Sequence, residues 1–165
     1  MTQTQPSRSR TYSWSDPLEH ATKAMTMSGL ELMQAFSRGE LPAPPIMQLI
    51  GAAGLEAEEG SVTVLLDPQE FHYNPIGSVH GGVIATLLDT AAACSVHTTL
   101  PAGVGYTSLD LSVKFLRPVT LNSGRLTCRG QVLQRGRRTA LAESQLTDSQ
   151  GKLLAHATST CLILN

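Results

Sequence analysis

The chain has 165 residues, a formal net charge of -1 and only 4% aromatic residues. One domain is the natural reading of that length, and it is long enough to bury a real core. The charge balance and the scarcity of aromatics exclude a nucleic-acid binder built on basic patches or base stacking. Three cysteines (Cys94, Cys128 and Cys161) are widely spaced with no C-x-x-C, which reads as buried thiols of a cytoplasmic protein. No apolar run approaches the length of a membrane span, and no apolar stretch follows Arg8 and Arg10 as a secretory signal would require.

In chain order, residues 1–16 are polar and Ser/Arg-rich, the composition of a flexible tail. Residues 17–44 read as a helical extension. Asp16-Pro17 makes a helix start, Ser28-Gly29 is a potential break, Gly39 is a stop, and Leu41-Pro42-Ala43-Pro44-Pro45 is a stiff connector. The main domain is assigned to 45–165. Ile46–Ile50 supplies a helical turn, and Ala52–Ala57 and Ser61–Leu66 flank Glu58-Glu59-Gly60 as a hairpin. The turn-rich stretch from Asn74 leads into a helix ending near His97. Val83, Ile84, Leu87, Leu88 and Ala91 fall on one helical face. Tyr106–Leu116 alternates as one long strand, with Thr107, Leu109, Leu111, Val113 and Phe115 sharing the face expected to meet the helix. Strands over Leu126–Leu133, Thr139–Thr147 and Leu153–Leu164 follow, joined by turns at Gln134–Arg137 and Asp148–Gly151. One long helix followed by a run of antiparallel strands is an α+β pattern, the helix lying on one face of a curved sheet.

Two features of the helix carry chemistry. Asp89 is a lone carboxylate in an Ala- and Leu-rich helix, and such groups are rarely buried unless paired or functional. Gly81-Gly82 opens the helix, where free amides and the positive end of the dipole suit a developing oxyanion. The glycines are equally explained by a helix start where no Cβ fits, and Asp89 by a structural pair across an interface. Eight residues separate Gly81 from Asp89, roughly 12 Å along a helix. They cannot act on one carbonyl carbon from a single chain. Cooperation requires a second copy of the helix running antiparallel, hence at least a homodimer.

The order Asn74, Gly77, His80-Gly81-Gly82, Leu87-Leu88-Asp89-Thr90-Ala91, then Ser108–Pro118 ending in Phe-Leu-Arg-Pro, resembles the hotdog-fold acyl-CoA thioesterases of the phenylacetate-degradation (PaaI-like) branch. The resemblance covers about residues 45–165. It implies a hotdog fold, a long central helix wrapped by an antiparallel sheet of five to six strands. It implies hydrolysis of an acyl-CoA thioester to the acid and free coenzyme A, in a homodimer or a homotetramer arranged as a dimer of dimers. By the same resemblance Asp89 is the nucleophile or general base, the Gly81 amide and Asn74 polarise the carbonyl, and Ser108 holds the attacking water. His80, Gly82 and Thr107 are supporting residues, and Arg117, Arg135, Arg137 and Arg138 are candidates for the coenzyme A phosphates. No cofactor is required, because coenzyme A is part of the substrate and its thiolate leaves readily. The histidines show no metal-ligand spacing, and no G-x-S-x-G elbow accompanies His-Gly-Gly. Ala93 stands where some aryl-CoA thioesterases carry Thr, so an aryl preference is not carried over. Two alternatives remain at this stage. One is a hotdog enoyl-thioester hydratase, for which His80 with Asp89 is the candidate pair. The other is a non-catalytic acyl-CoA binding protein.

Overall fold

The structure, a computed structural model, describes residues 8–164. Helix α1 (Pro17–Ala24) starts with proline in its first turn, and Asp16 Oδ1 accepts the Leu18 amide at 2.9 Å. Helix α2 (Gly29–Ser37) begins behind a capping box: Ser28 Oγ accepts the Glu31 amide at 3.3 Å, and Glu31 Oε2 accepts the Ser28 amide at 2.9 Å. That box divides the helical extension at Ser28-Gly29. A short helix, α3 (Pro45–Ile50), ends at Gly51 in the left-handed conformation.

Strands β1 (Ala52–Glu58) and β2 (Ser61–Leu66) form the expected hairpin. Helix α4 (Gly81–His97) follows, then β3 (Gly105–Ser108), β4 (Ser112–Phe115), β5 (Leu126–Arg135), β6 (Thr139–Thr147) and β7 (Leu153–Leu164). All strands pair antiparallel in one sheet ordered β1-β2-β5-β6-β7-β3, and β4 pairs β7 further along the same edge as β3. The fold is the α+β hotdog architecture that the sequence implied: a long helix wrapped by a curved antiparallel sheet.

Why α4 can sit so close to the sheet is visible in the facing residues. Leu87, Leu88 and Ala91 are fully buried in one cluster with Val62, Val64 and Leu66 of β2 and Leu126 and Cys128 of β5, and Ala92 and Val96 in a second with Ala140 and Ala142 of β6 and Cys161 of β7. A Cβ on Gly130 of β5 would stand 2.0 Å from the Ala91 carbonyl oxygen, so only glycine fits there. Ser144 of β6 donates its hydroxyl to the Leu88 carbonyl at 2.8 Å, so this buried polar group is satisfied.

Seven strand segments replace the five or six expected, because the stretch read as one strand over Tyr106–Leu116 is two. The chain leaves the ladder at Leu109–Leu111. There Asp110 Oδ1 accepts the Thr160 amide at 3.0 Å and the Asp110 carbonyl accepts the Ser159 hydroxyl at 2.8 Å. This kink reverses the facing. Tyr106 and Ser108 point to the helix side in β3, opposite buried Ile163 and Cys161, whereas Leu111 and Val113 do so beyond the kink. The expectation that Thr107 shares the helix-facing side with Leu109 and Leu111 is corrected: Thr107 is exposed, alongside Leu162 on the other side of the sheet.

Residues 8–16 form no regular element. Arg8 pairs with Glu70 at 2.6 Å, and Arg10 donates to the Gln48 and Leu49 carbonyls at the end of α3, with its guanidinium 4.1 Å from the centre of the Phe71 ring. The flexible tail expected over residues 1–16 has its first seven residues outside the described ones.

Candidate active site

The segment before α4 is a locked loop. Asn74 Oδ1 accepts the Ile76 and Ser78 amides at 3.1 and 3.2 Å, and Asn74 Nδ2 donates to Ser78 Oγ at 3.0 Å. Gly77 adopts φ 83°, a conformation that suits glycine. The Val79 amide donates to the Val119 carbonyl, and the His80 amide to the His72 carbonyl, both at 2.8 Å. The helix start is therefore held from two sides. Among the described residues His80 makes no hydrogen bond to Asn74. It caps the helix, its Nδ1 accepting the Gly82 amide at 2.9 Å.

Four amides at a helix start lack intrahelical partners. In α4 the Gly82 amide is taken by His80 Nδ1, and those of Val83 and Ile84 by the His80 carbonyl. The Gly81 amide meets no acceptor among the described residues. The ring of Phe115 is the side chain beside it: a Cβ on Gly81 would stand 3.3 Å from Phe115 Cζ. Gly81 lines an open cleft of about 340 Å³ with Asn74, Ile84, Phe115 and Arg117. One unpaired donor at the positive end of a 17-residue helix thus faces open space.

Two turns further on, Asp89 Oδ1 accepts a hydrogen bond from Ser108 Oγ at 3.0 Å. Both are half-buried and line a second open depression of about 390 Å³ with Thr86, Leu109, Asp110 and Leu111. The kink between β3 and β4 is what turns Ser108 toward the carboxylate. The hydroxyl proton is used on Asp89, and the oxygen keeps lone pairs that can accept from a water molecule. Within one chain the structure brings Asn74 and Gly81 to one cleft, and Asp89 and Ser108 to the other. It does not join the two pairs, which stand roughly 12 Å apart along the helix. The His80–Asp89 pair that hydration would use is also not assembled within a chain, as nine residues of helix separate the two.

The arginines divide. Arg117 is at the Gly81 cleft, its Nη1 donating to the Leu153 carbonyl at 2.6 Å. Arg135, Arg137 and Arg138 are exposed at the turn between β5 and β6 and line neither cleft. Burial pushes the Cys94 thiol up to about 11 and Cys128 up to about 12, so both stay protonated near neutrality. Cys94 lies 3.9 Å from the Tyr106 hydroxyl, and the His97 ring packs on the same tyrosine. Among the described residues no group of three His, Cys, Asp or Glu could hold a metal ion.

Sequence reasoning missed Phe115, read as a core position because it ends an alternating strand. Its ring covers Gly81 yet remains 56% exposed. Asp110 was also missed; its carboxylate accepts the Thr160 amide at the edge of the Asp89 depression.

Residues 76–155 match the model of the thioesterase superfamily. The human protein named acyl-coenzyme A thioesterase 13 is 29% identical over 139 residues, 83% of this chain and 95% of that protein. The solved phenylacetic acid degradation-related protein of Ralstonia eutropha JMP134 is 32% identical, with a TM-score of 0.70, covering 79% of this chain and 98% of that one. The chain belongs to the thioesterase superfamily. The PaaI protein of Escherichia coli shares the fold of this thioesterase-superfamily member, with a TM-score of 0.71 over 85% of this chain at 22% identity. The family region contains Gly81, Asp89 and Ser108, whereas Asn74 lies just before it. No described helix is long and apolar enough to cross a membrane.

Proposed function

We propose that the protein hydrolyses an acyl-CoA thioester to a carboxylic acid and free coenzyme A. The reading rests on one observation above others: a free Gly81 amide in one cleft and a hydrogen-bonded Asp89–Ser108 pair in another, on a single helix, each half of a site. The thioesterase names of relatives over nearly their whole length support the same reaction.

In this reading two chains place their α4 helices antiparallel. The Gly81 amide of one chain binds the thioester oxygen, where negative charge develops. Asn74 holds the loop so that this amide stays aimed. Asp89 of the other chain takes a proton from water as the water oxygen attacks, or attacks directly to give an anhydride that water then cleaves. Ser108 fixes the carboxylate and accepts a hydrogen bond from that water. The carbon–sulfur bond breaks, and coenzyme A leaves as thiolate and takes up the proton. No metal or redox group takes part. An exposed apolar surface around both clefts, with Ile76, Leu109, Phe115 and Leu116, supports pairing of two copies. A dimer of dimers follows the family pattern. Arg117, Arg135, Arg137 and Arg138 are assigned to the phosphates of coenzyme A. Three free thiols fit a reducing compartment, the cytoplasm.

The test is a panel of acyl- and enoyl-CoA thioesters, followed in parallel for thiol release and for hydration of the double bond. Thiol release is expected. Hydration alone would make the protein a hydratase, and binding without either reaction would make it a binder.

A further inference from the structure

The helical extension before the family region encloses a separate, apolar cavity. It measures about 140 Å³ and is more enclosed than either catalytic cleft. Phe36 of α2, Ala43 of the proline-rich connector and Met47 of α3 form its outer wall. Leu55 and Val64 of the β1–β2 hairpin form the floor. Thr90 and Cys94 of α4 also line it. The outer wall lies wholly outside residues 76–155.

Helical spacing links this cavity to the carboxylate. Thr86, Thr90 and Cys94 are four residues apart and form one stripe on α4. Thr86 lines the Asp89 depression, whereas Thr90 and Cys94 line the cavity. Thr90 is also the immediate neighbour of Asp89 in sequence. The stripe of small side chains thus has one end at the Asp89 depression and the other at the cavity. The extension is docked closely against the end of α4. Gly29 at the start of α2 lies so close to the end of α4 that a Cβ would stand 1.8 Å from the His97 carbonyl oxygen, and the Gly29 amide donates to the Leu100 carbonyl at 3.0 Å.

We infer that this cavity receives the apolar tail of the acyl group, so that the N-terminal helices set the substrate's size. The inference rests on the thioesterase reading and adds the substrate class to it. A dry apolar cavity of about 150 Å³ takes up benzene. The cavity therefore suits a tail of about six carbons, a short alkyl chain or one ring. It holds no charged lining residue, so a tail ending in a carboxylate or an ammonium is disfavoured.

The experiment compares kcat/KM for acetyl-CoA and hexanoyl-CoA. Each buried methylene strengthens binding about fourfold, so the hexanoyl-to-acetyl ratio in the wild type should be on the order of a hundred. Ala43→Leu fills the cavity and should lower that ratio at least about tenfold. Phe36→Ala enlarges the cavity and should shift the optimum toward decanoyl-CoA, which keeps the test decisive if Ala43→Leu does not fold. A wild-type ratio near one, or a ratio and chain-length optimum untouched by both variants, overturns the pocket assignment while leaving hydrolysis intact. Absence of thiol release from every thioester overturns the catalytic reading itself, and the pocket assignment with it.

Discussion

Replacing Gly81 with alanine separates a glycine kept for chemistry from one kept for folding. Its backbone is not in the left-handed region, and the first turn of a helix accepts alanine well. The new methyl would sit 3.3 Å from Phe115 Cζ and 3.5 Å from Cε1, contacts that a ring 56% exposed relieves by a small rotation. The fold should therefore be nearly unaffected, with Tm within about 2 °C of wild type, equivalent to less than about 1 kcal/mol for a chain of this size. The methyl nevertheless enters the cleft beside the one amide left free. Removing an oxyanion donor costs about 100- to 1000-fold, and misplacing a substrate by about 1 Å costs roughly 100-fold. Gly81→Ala keeps the donor but crowds its ligand, so kcat/KM should fall about 10- to 100-fold, or about 1.4–2.7 kcal/mol. Thermal melting by circular dichroism and thiol-release kinetics on the same preparation make the assay. Activity within about twofold of wild type in a folded protein would refute the role of the Gly81 amide. A fall of about 10 °C in Tm would show instead that the glycine serves packing.

Gly130→Ala should behave in the opposite way: its Cβ would collide with the Ala91 backbone, which cannot rotate aside, so a loss of about 3 kcal/mol and a Tm lower by about 6–12 °C are expected in a thermal melt. The combined substitution Arg135→Ala, Arg137→Ala, Arg138→Ala should raise KM for acyl-CoA about tenfold, a few tenths of a kcal/mol to about 0.5 per exposed charge, and leave the corresponding acyl-pantetheine unaffected. An equal effect on both substrates would remove these residues from phosphate binding. His72 is buried, its Nδ1 accepting the Gln69 amide at 3.0 Å and its Nε2 bonded to the Ile50 carbonyl at 2.7 Å, and burial holds its pKa below the ordinary histidine value. The unfolded chain therefore binds the proton first. The stability that this neutral ring contributes is present above about pH 6.5 and is lost as pH falls below it. Melting curves from pH 7.5 to 5 should show a steeper loss of Tm in wild type than in His72→Gln.

The parts of the fold legible in the sequence were those set by neighbouring residues. Pro17, the break at Ser28-Gly29, the hairpin at Glu58-Glu59-Gly60 and the 3.6-residue period of α4 all act within a few positions. The break between β3 and β4 was not legible, because apolar residues alternate without interruption from Thr107 to Phe115. What breaks the strand is Asp110 bonding to Ser159 and Thr160, about fifty residues away, and local patterning carries no trace of that. In the candidate site, Asp89 stood out because it interrupts an apolar helix, and the rise of the helix alone separated it from Gly81. Asn74 was marked by its turn chemistry, though how fully its amide is spent on the loop became visible only with the Ser78 contacts. Phe115 stayed hidden because a large aromatic in an alternating strand looks the same whether it faces a core or an open cleft.

The most direct test of the central claim is free thiol release from acyl-CoA by wild type and Asp89→Asn, assayed side by side. Asparagine has almost the size of aspartate and can still accept the Ser108 hydroxyl, but it can neither attack as a carboxylate nor take a proton from water. Thiol release by the wild type and a loss of at least about a hundredfold in the variant, roughly 2.7 kcal/mol of transition-state stabilisation, is the predicted result. A wild type that releases no thiol, or a variant as active as wild type, would contradict it.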